Sequence, residues 1–359
     1  MISTFQLKKL AAVALAAGTT LAASAQSTVA IYGVADLGYR SVKGLDAGNA
    51  ASPANSTSLG SGINTTSRMG FRGSEDLGNG LKAEFNLETG WNLDSGIQAN
   101  STKFFDRASF VGLRGNWGGV MVGRQTTVLA DALGTIDPLG NRFAGFNPNI
   151  QIAALSAHRL GQEYGSAGAT TGSYRMDNSF KYTGSVAGFT GRLMTSLGEQ
   201  ANDNTKLSSQ GASLAYKGKD FDAIFAFSEF KSTADLNLKA YVGGISTKLG
   251  AGQLRASLGR SEAQTSATAV TENKTTSIGG NYPITADINL VAGFYKVDRK
   301  RSGSADDGFN RKIVFAEYIM SKRSLAYLGF DSTDWKNGYQ GSANKASASG
   351  VSVGLKHNF

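Results

Sequence analysis

The side chains best suited to chemistry in this sequence are arginines that recur at the spacing of a β-strand. In residues 67–72, Arg68 and Arg72 fall on one face of a strand, whereas Met69 and Phe71 fall on the other. An arginine that faced lipid near the middle of a membrane would cost about 2–4 kcal/mol. If this strand borders a membrane, both arginines must face water, where their charges act on passing solutes.

Residues that could support catalysis are scarce. The 359-residue chain has no cysteine and two histidines, His158 and His357. The absence of cysteine excludes a thiol nucleophile, an iron–sulfur cluster and the usual structural zinc sites. His158 has no identifiable acid–base partner, so we interpret it as an exposed loop residue, and His357 belongs to a strand end. We therefore predict no enzymatic activity, no metal and no cofactor.

Residues 1–25 have the pattern of a secretory signal peptide. Lys8 and Lys9 precede an apolar run from Leu10, and small residues occupy positions 23–25. A membrane-spanning helix is the alternative, but the run is short and rich in alanine. Cleavage would leave residues 26–359 as one domain and reduce the net charge from +9 to +7, because the segment carries two lysines and no acids.

The arginines must be positioned by β-strands, because apolar and polar residues alternate with a period of two along the rest of the chain. In residues 81–88 the apolar positions alternate with Lys82, Glu84, Asn86 and Glu88. Residues 29–40 and 221–228 alternate in the same way, although Ile224 interrupts the polar side. We count about sixteen strands bounded by turn residues, an even number typical of bacterial outer-membrane barrels.

The connections between these strands alternate in length. Short ones lie at 74–79, 115–119, 184–188, 217–219, 249–252 and 321–323, and long ones at 41–64, 197–208, 261–271, 299–308 and 335–347. We therefore predict an all-β, sixteen-stranded antiparallel barrel with short turns at one end and long loops at the other. A soluble β-sandwich is the alternative, disfavoured by the near-uniform hairpin spacing. The alternating last strand ends on Phe359, as closure against the first strand requires.

Five segments resemble a known family: VAIYGVADLG (29–38), residues 67–90, residues 107–124, the SKR turn (321–323) and VGLKHNF (353–359). The chain is similar to the general porins of Gram-negative bacteria, above all the trimeric porins of β-proteobacteria. The resemblance implies an outer-membrane barrel with short periplasmic turns and long extracellular loops, the third folded inward. It also implies a homotrimer surrounded by lipid and lipopolysaccharide, which passes small hydrophilic solutes and ions. The basic residues lie along strands, so no nucleic acid is expected.

By the same resemblance, Arg68 and Arg107 match a basic ladder on the wall of the pore. Alternation alone adds Arg72, Arg124 and Arg40 as neighbours in the constriction.

The longest connection, residues 125–173, is the candidate inward loop. Asp137 matches a position where a loop carboxylate faces the basic wall, and Asp131 is a second candidate. The acidic tip common in enterobacterial members is replaced by residues 138–142, where Arg142 adds positive charge.

These features predict passive diffusion through a charged channel with weak to moderate anion preference. The alternative is a channel specific for sugars or phosphate. Such a channel often carries aromatic stacking tracks or arginine clusters on its inner face. Here Phe85, Phe225, Phe227 and Phe294 are expected on outward faces. An outer-membrane enzyme would need a set of convergent catalytic groups, for which the sequence offers no candidate.

Overall fold

Antiparallel strands dominate the computed structural model, which describes residues 28–158, 160 and 174–359. The predicted signal peptide lies outside the described residues. The strands are β1 (Thr28–Leu45), β2 (Ala51–Ser61), β3 (Arg68–Gly78), β4 (Leu81–Asn92), β5 (Ile97–Gln98), β6 (Ala108–Gly115), β7 (Gly118–Thr126), β8 (Arg175–Val186), β9 (Phe189–Ser196), β10 (Ser209–Lys217), β11 (Phe221–Lys231), β12 (Asn237–Leu249), β13 (Gly252–Gln264), β14 (Val270–Pro283), β15 (Ile288–Arg301), β16 (Asp307–Ile319), β17 (Ser324–Lys336) and β18 (Ser347–Asn358). The helices are α1 (Val128–Ile136) and α2 (Ile152–Leu155).

These strands close into a barrel with sixteen positions around its wall. Each strand pairs antiparallel with its neighbours, and β18 pairs with β1, so that Tyr39 lies opposite Val353. On the other side of β1, β3 pairs with its first half and β2 with its second half. The two strands therefore occupy one position in the wall, with a break in the strand at residues 62–67. The two-residue β5 lies in a loop and pairs only with β4. The predicted sixteen-stranded barrel is confirmed.

The apolar face of the strands lies on the outside of the barrel. Ile31, Leu193 and Leu258 are each more than 60% exposed, whereas Asp36 and Ser257 on the inner face are buried. A sandwich would instead bury the apolar face between two sheets, so that alternative is wrong. Neither of the helices in the described residues has the length and apolar character needed to cross a membrane.

The turns at one end have the predicted short lengths, but several predicted long loops are wrong. The predicted connection 41–64 is mostly strand, because β1 continues to Leu45 and β2 begins at Ala51. The connections at 261–271 and 299–308 shrink to residues 265–269 and 302–306. Beyond the apolar band a strand needs only its ladder of backbone hydrogen bonds, so polar sequence does not end it.

The segment between β7 and β8, here called the inward loop, is described at residues 127–158, 160 and 174, and this part folds into the barrel. Helix α1 packs the apolar side chains of Leu129 and Leu133 against Ile224, Ala226 and Val242 on the inner wall. This contact explains why Ile224 breaks the polar alternation of its strand. The hydroxyl of Thr127 caps the helix by accepting a hydrogen bond from the Ala130 N–H at 3.3 Å.

The carboxy-terminus completes the closure of the barrel. Gly33 N–H donates to the Phe359 carbonyl at 3.0 Å, and Phe359 N–H donates back to the Gly33 carbonyl at 3.1 Å. The Phe359 ring lies over Gly33, where an added Cβ would come within 2.3 Å of the ring. The same Cβ would lie 2.6 Å from the carbonyl oxygen of Arg68, so only glycine fits there without movement of the backbone.

We predict that Gly33→Ala weakens this closure by about 1–3 kcal/mol, the usual cost of overpacking. The measurement is denaturant unfolding of the protein refolded in detergent or lipid. Gly191→Ala is the matched control, because a Cβ at Gly191 meets no atom within 4 Å. Equal stability of the two variants would contradict the role given to the Phe359 contact.

Candidate functional site

A cavity of about 850 Å³ separates the inward loop from the wall formed by β1 to β4. We call this cavity the arginine-lined opening. Its charged lining residues are five arginines and two acids, which give a formal excess of three positive charges. They are Arg40, Arg68, Arg107, Arg142, Arg175, Glu88 and Asp106. Four of the arginines were among the predicted site residues, and the structure brings them together around one space. Arg175 and the two acids were not predicted.

Glu88, on β4, is the carboxylate that organises the wall side of the opening. The Arg107 Nε donates to its Oε1 at 2.6 Å, and the Arg68 Nε lies 3.6 Å from its Oε2. The Tyr32 hydroxyl donates to the same Oε2 at 2.8 Å. Two arginines thus share one negative charge, which leaves the group positive. The alternation of residues 81–88 places Glu88 on the polar face, a signal that could have identified it.

Arg175, at the start of β8, adds a charge that no described carboxylate pairs with. Its Nε donates to the Arg107 carbonyl oxygen at 2.9 Å, and its guanidinium lies 4.9 Å from the centre of the Tyr174 ring. Arg175 therefore extends the row formed by Arg68 and Arg107 along the wall.

Arg40, on β1, and Arg142, on the inward loop, are each neutralised by one acid. Arg40 is buried and donates from Nη1 to Asp331 at 2.6 Å and from Nε to Asn49 at 2.9 Å. Arg142, on the inward loop, pairs with the buried carboxylate of Glu317. Both arginines thus have positions fixed by the wall.

Two other predicted arginines lie away from the opening. Arg124 is buried, and its guanidinium is held by Asp177 at 2.6 Å and by the Asp106 carbonyl at 2.6 Å. Arg72 lies on the inner wall with its guanidinium 4.8 Å from the Tyr32 ring. Alternation places a side chain on the inner face but does not specify its height in the barrel, so these two arginines were grouped with the others.

The two predicted loop acids do not face the opening, which corrects the expectation that a loop carboxylate opposes the basic wall. Asp131 fastens α1 to the wall through Lys181 at 2.9 Å and the Thr126 hydroxyl at 2.8 Å. Asp137 has 0% exposure and lies inside the inward loop.

The buried Asp137 carboxylate holds the inward loop together by accepting five hydrogen bonds. The donors are the N–H groups of Leu139 and Asn141, the amides of Asn147 and Asn149, and the Tyr295 hydroxyl, at 2.9–3.1 Å. Burial raises the pKa of Asp137 above its ordinary value, against hydrogen bonds from Asn141, Asn149, Asn147 and Tyr295 that lower it. The acid is a structural centre of the loop.

His158 is also buried rather than exposed, so our interpretation of it was wrong. It has 3% exposure, accepts a hydrogen bond from the Leu160 N–H at 3.1 Å through Nδ1, and lies 3.0 Å from the Leu236 carbonyl through Nε2. It joins the inward loop to the connection between β11 and β12.

Comparison with known proteins finds relatives along nearly the whole chain. The family described as Gram-negative porin matches residues 11–338. An outer membrane porin protein of Bordetella pertussis is 30% identical over 289 residues, which are 77% of this chain and 66% of that protein, just under two thirds of its length. The major outer membrane protein P.IB of Neisseria meningitidis is 27% identical and covers 98% of this chain and 99% of its own length.

Solved structures show the same fold. The anion-selective porin from Comamonas acidovorans matches with a TM-score of 0.78 at 23% identity, covering 93% of this chain and 100% of its own. The trimer form of OmpT from Vibrio cholerae matches with a TM-score of 0.66 at 15% identity, covering 93% and 99% of the two chains.

We predict that Asp137→Asn opens the inward loop. An amide nitrogen in place of either carboxylate oxygen faces at least two donors, and each unsatisfied buried group costs about 1–3 kcal/mol. Limited proteolysis within residues 138–150 should accelerate strongly while the strands stay protected. Asp235→Asn is the control, because that carboxylate is exposed, lies outside the inward loop and pairs with Lys231 of its own hairpin, so cleavage within residues 138–150 is expected to change little. Equal cleavage rates in the two variants would refute the central role of Asp137.

Proposed function

This chain belongs to the Gram-negative porin family, and we propose that its arginine-lined opening favours anions over cations. The protein is an outer-membrane channel for passive diffusion and, like its relatives, is not an enzyme. Barrels of about sixteen strands leave an aqueous lumen, unlike small barrels whose side chains fill the interior. The residues that matter are therefore those that set the width and the electric field of the passage.

The observation that carries this proposal is the excess of arginine over carboxylate around the opening. One arginine about 5 Å from a passing ion contributes roughly 1–3 kcal/mol at an effective dielectric constant of 20 to 80. Ion pairs with Glu88, Asp331 and Glu317 cancel part of this field. Salt screens the remainder. We therefore propose a weak to moderate preference for anions.

The charges that dominate this preference are those of Arg68, Arg107 and Arg175. The first two share the single carboxylate of Glu88, and Arg175 has no ion pair within the described residues. Arg40 and Arg142 each have an acid of their own and contribute less net charge. The inner wall should therefore act more strongly on passing ions than the loop does. The structurally similar porin from Comamonas acidovorans is described as anion-selective, which agrees with the proposed preference for anions.

We further propose that the chain assembles as a homotrimer in contact with outer-membrane lipid and lipopolysaccharide. Porins are commonly trimeric, and one structural neighbour is a trimer. The outward apolar residues of the described strands, such as Leu193 and Leu258, form a surface that lipid or another copy must cover. The solutes would be small hydrophilic molecules and ions.

Replacing both Arg68 and Arg107 with glutamine is expected to shift selectivity toward cations several-fold. The measurement is the reversal potential in a planar bilayer under a salt gradient. Arg260→Gln is the control, because Arg260 is an exposed residue paired with Glu272 and does not line the opening. An unchanged reversal potential in the double variant would remove these arginines from the selectivity mechanism.

Glu88→Gln should have the opposite effect, because it removes the charge that offsets both arginines. Anion preference should rise above that of the wild type, and it should fall below the wild type when Arg68 and Arg107 are also replaced, because two positive charges and one negative charge are then lost. A shift of the reversal potential toward cations in Glu88→Gln would show that the field of the opening has another source.

The trimer is tested by light scattering of the refolded protein in detergent. We expect a protein mass of three chains and channel closure in three equal conductance steps. A mass of one chain, with single-step closure, would rule out the trimer.

A further inference from the structure

Arg311, in the middle of β16, is a buried cation outside the opening. It has 4% exposure, and its Nε donates to the Thr333 hydroxyl at 2.9 Å. Its Nη1 donates to the carbonyl oxygen of Phe146, on the inward loop, at 2.7 Å. Arg311 forms no ion pair with a described residue, and the nearby carboxylate of Asp331 is bound by Arg40. A buried charge without an acid requires another source of stabilisation.

That stabilisation comes from aromatic rings on both the loop and the wall. The Arg311 guanidinium lies 3.6 Å from the centre of the Phe146 ring, 4.7 Å from Phe309 and 5.8 Å from Trp335. Cation–π attraction is stronger when the cation is desolvated, as it is here. Phe146 supplies both the closest ring and the carbonyl acceptor, so the loop provides the main contacts of this charge.

Phe146 lies directly behind the part of the inward loop that borders the opening. Phe143, Ala144 and Gly145 line the opening, and the N–H groups of Phe146 and Asn147 both donate to the Phe143 carbonyl at 2.9 Å. A displacement of Phe146 therefore moves this turn, and with it one side of the passage.

We propose that Arg311 is a positioning residue that fixes the inward loop at Phe146 and thereby sets the width of the opening. Helix α1 is held by apolar contacts and the interior of the loop by Asp137. Phe143 packs edge-on against Phe315 of β16 at 5.5 Å, and Arg142 pairs with Glu317 of the same strand, so residues 142 and 143 are also joined to β16. At Phe146 itself, Arg311 supplies the hydrogen bond to the carbonyl and the shorter of two cation–π contacts, the other being from Arg40 at 5.4 Å. This inference rests on the protein being a channel and does not depend on whether the channel prefers anions.

The wall side of this contact is packed by wall residues and by Leu155 of α2, none of which is Phe146. Trp335 stacks on Tyr339 with ring centres 5.5 Å apart, and the Arg299 guanidinium lies 3.8 Å from the Tyr339 ring. Phe309 contacts both rings edge-on, at 5.3 Å and 5.0 Å. Removing the contact from the loop side should therefore leave this aromatic cluster in place, so loop and wall effects are separable.

The test compares Arg311→Gln with Lys312→Gln in the full-length refolded protein. Lys312 is the next residue on the same strand, its side chain is 62% exposed, and it faces the opposite side of the wall. Loss of the cation–π contact and the hydrogen bond should raise amide exchange at residues 143–147 about tenfold. The variance of the open-channel current should rise as well, while exchange in β13 to β15 stays unchanged. Arg311→Lys, which keeps the charge, should restore part of the protection.

The proposal is overturned if Arg311→Gln and Lys312→Gln give the same exchange and the same current variance. It is also overturned if exchange rises equally in the barrel strands, because Arg311 would then stabilise the wall generally. If Arg311→Gln does not assemble, Phe146→Leu removes the ring from the loop side and leaves the wall intact. That variant should raise exchange and current variance in the same way, and wild-type values for it would refute the proposal.

Discussion

A strand that borders lipid cannot leave backbone N–H and C=O groups unpaired, and the architecture of this porin depends on that constraint. Closure between β1 and β18 removes the open edges, and the backbone bonds between Gly33 and Phe359 continue the ladder to the last residue. Once the wall is closed, each strand must present one face to lipid and the other to water. An arginine within the apolar band then has only the inward direction available, so charge collects inside the barrel without a dedicated fold for it.

The inner wall is nevertheless not uniform, and the difference between its two sides creates the passage. On one side, Ile224, Ala226 and Val242 interrupt the polar face and bury α1. On the other side, Arg68, Glu88 and Arg107 keep the wall polar and leave space for water. Apolar contact thus holds the inward loop against one half of the barrel, and charge keeps the other half open. This division leaves the passage on the polar side of the barrel.

The sequence predicts the barrel well because its signals are local. Alternation and turn residues identify the sixteen wall positions, and the length of the third connection predicts the inward loop. The partners of the charged groups depend on contacts between distant residues, so they were missed. Tyr295 donates to Asp137 from a position 158 residues away, and Glu88 meets Arg107 only after β4 and β6 pair. Long loops were overestimated because polar hairpins above the apolar band lack the alternation that identifies a strand. The apolar interruption at Ile224 was a usable signal for the docking of α1.

The charged groups of the opening lie on particular segments of the chain, and this limits where the sequence can vary without altering the opening. The described charged groups of the opening sit on wall strands, on the short segments that join them and on the inward loop, whose own interior is organised by Asp137. The hairpins at residues 265–269 and 302–306 contribute none of the lining residues described for the opening. Substitutions in these two hairpins can therefore accumulate while the charges that line the opening stay in place.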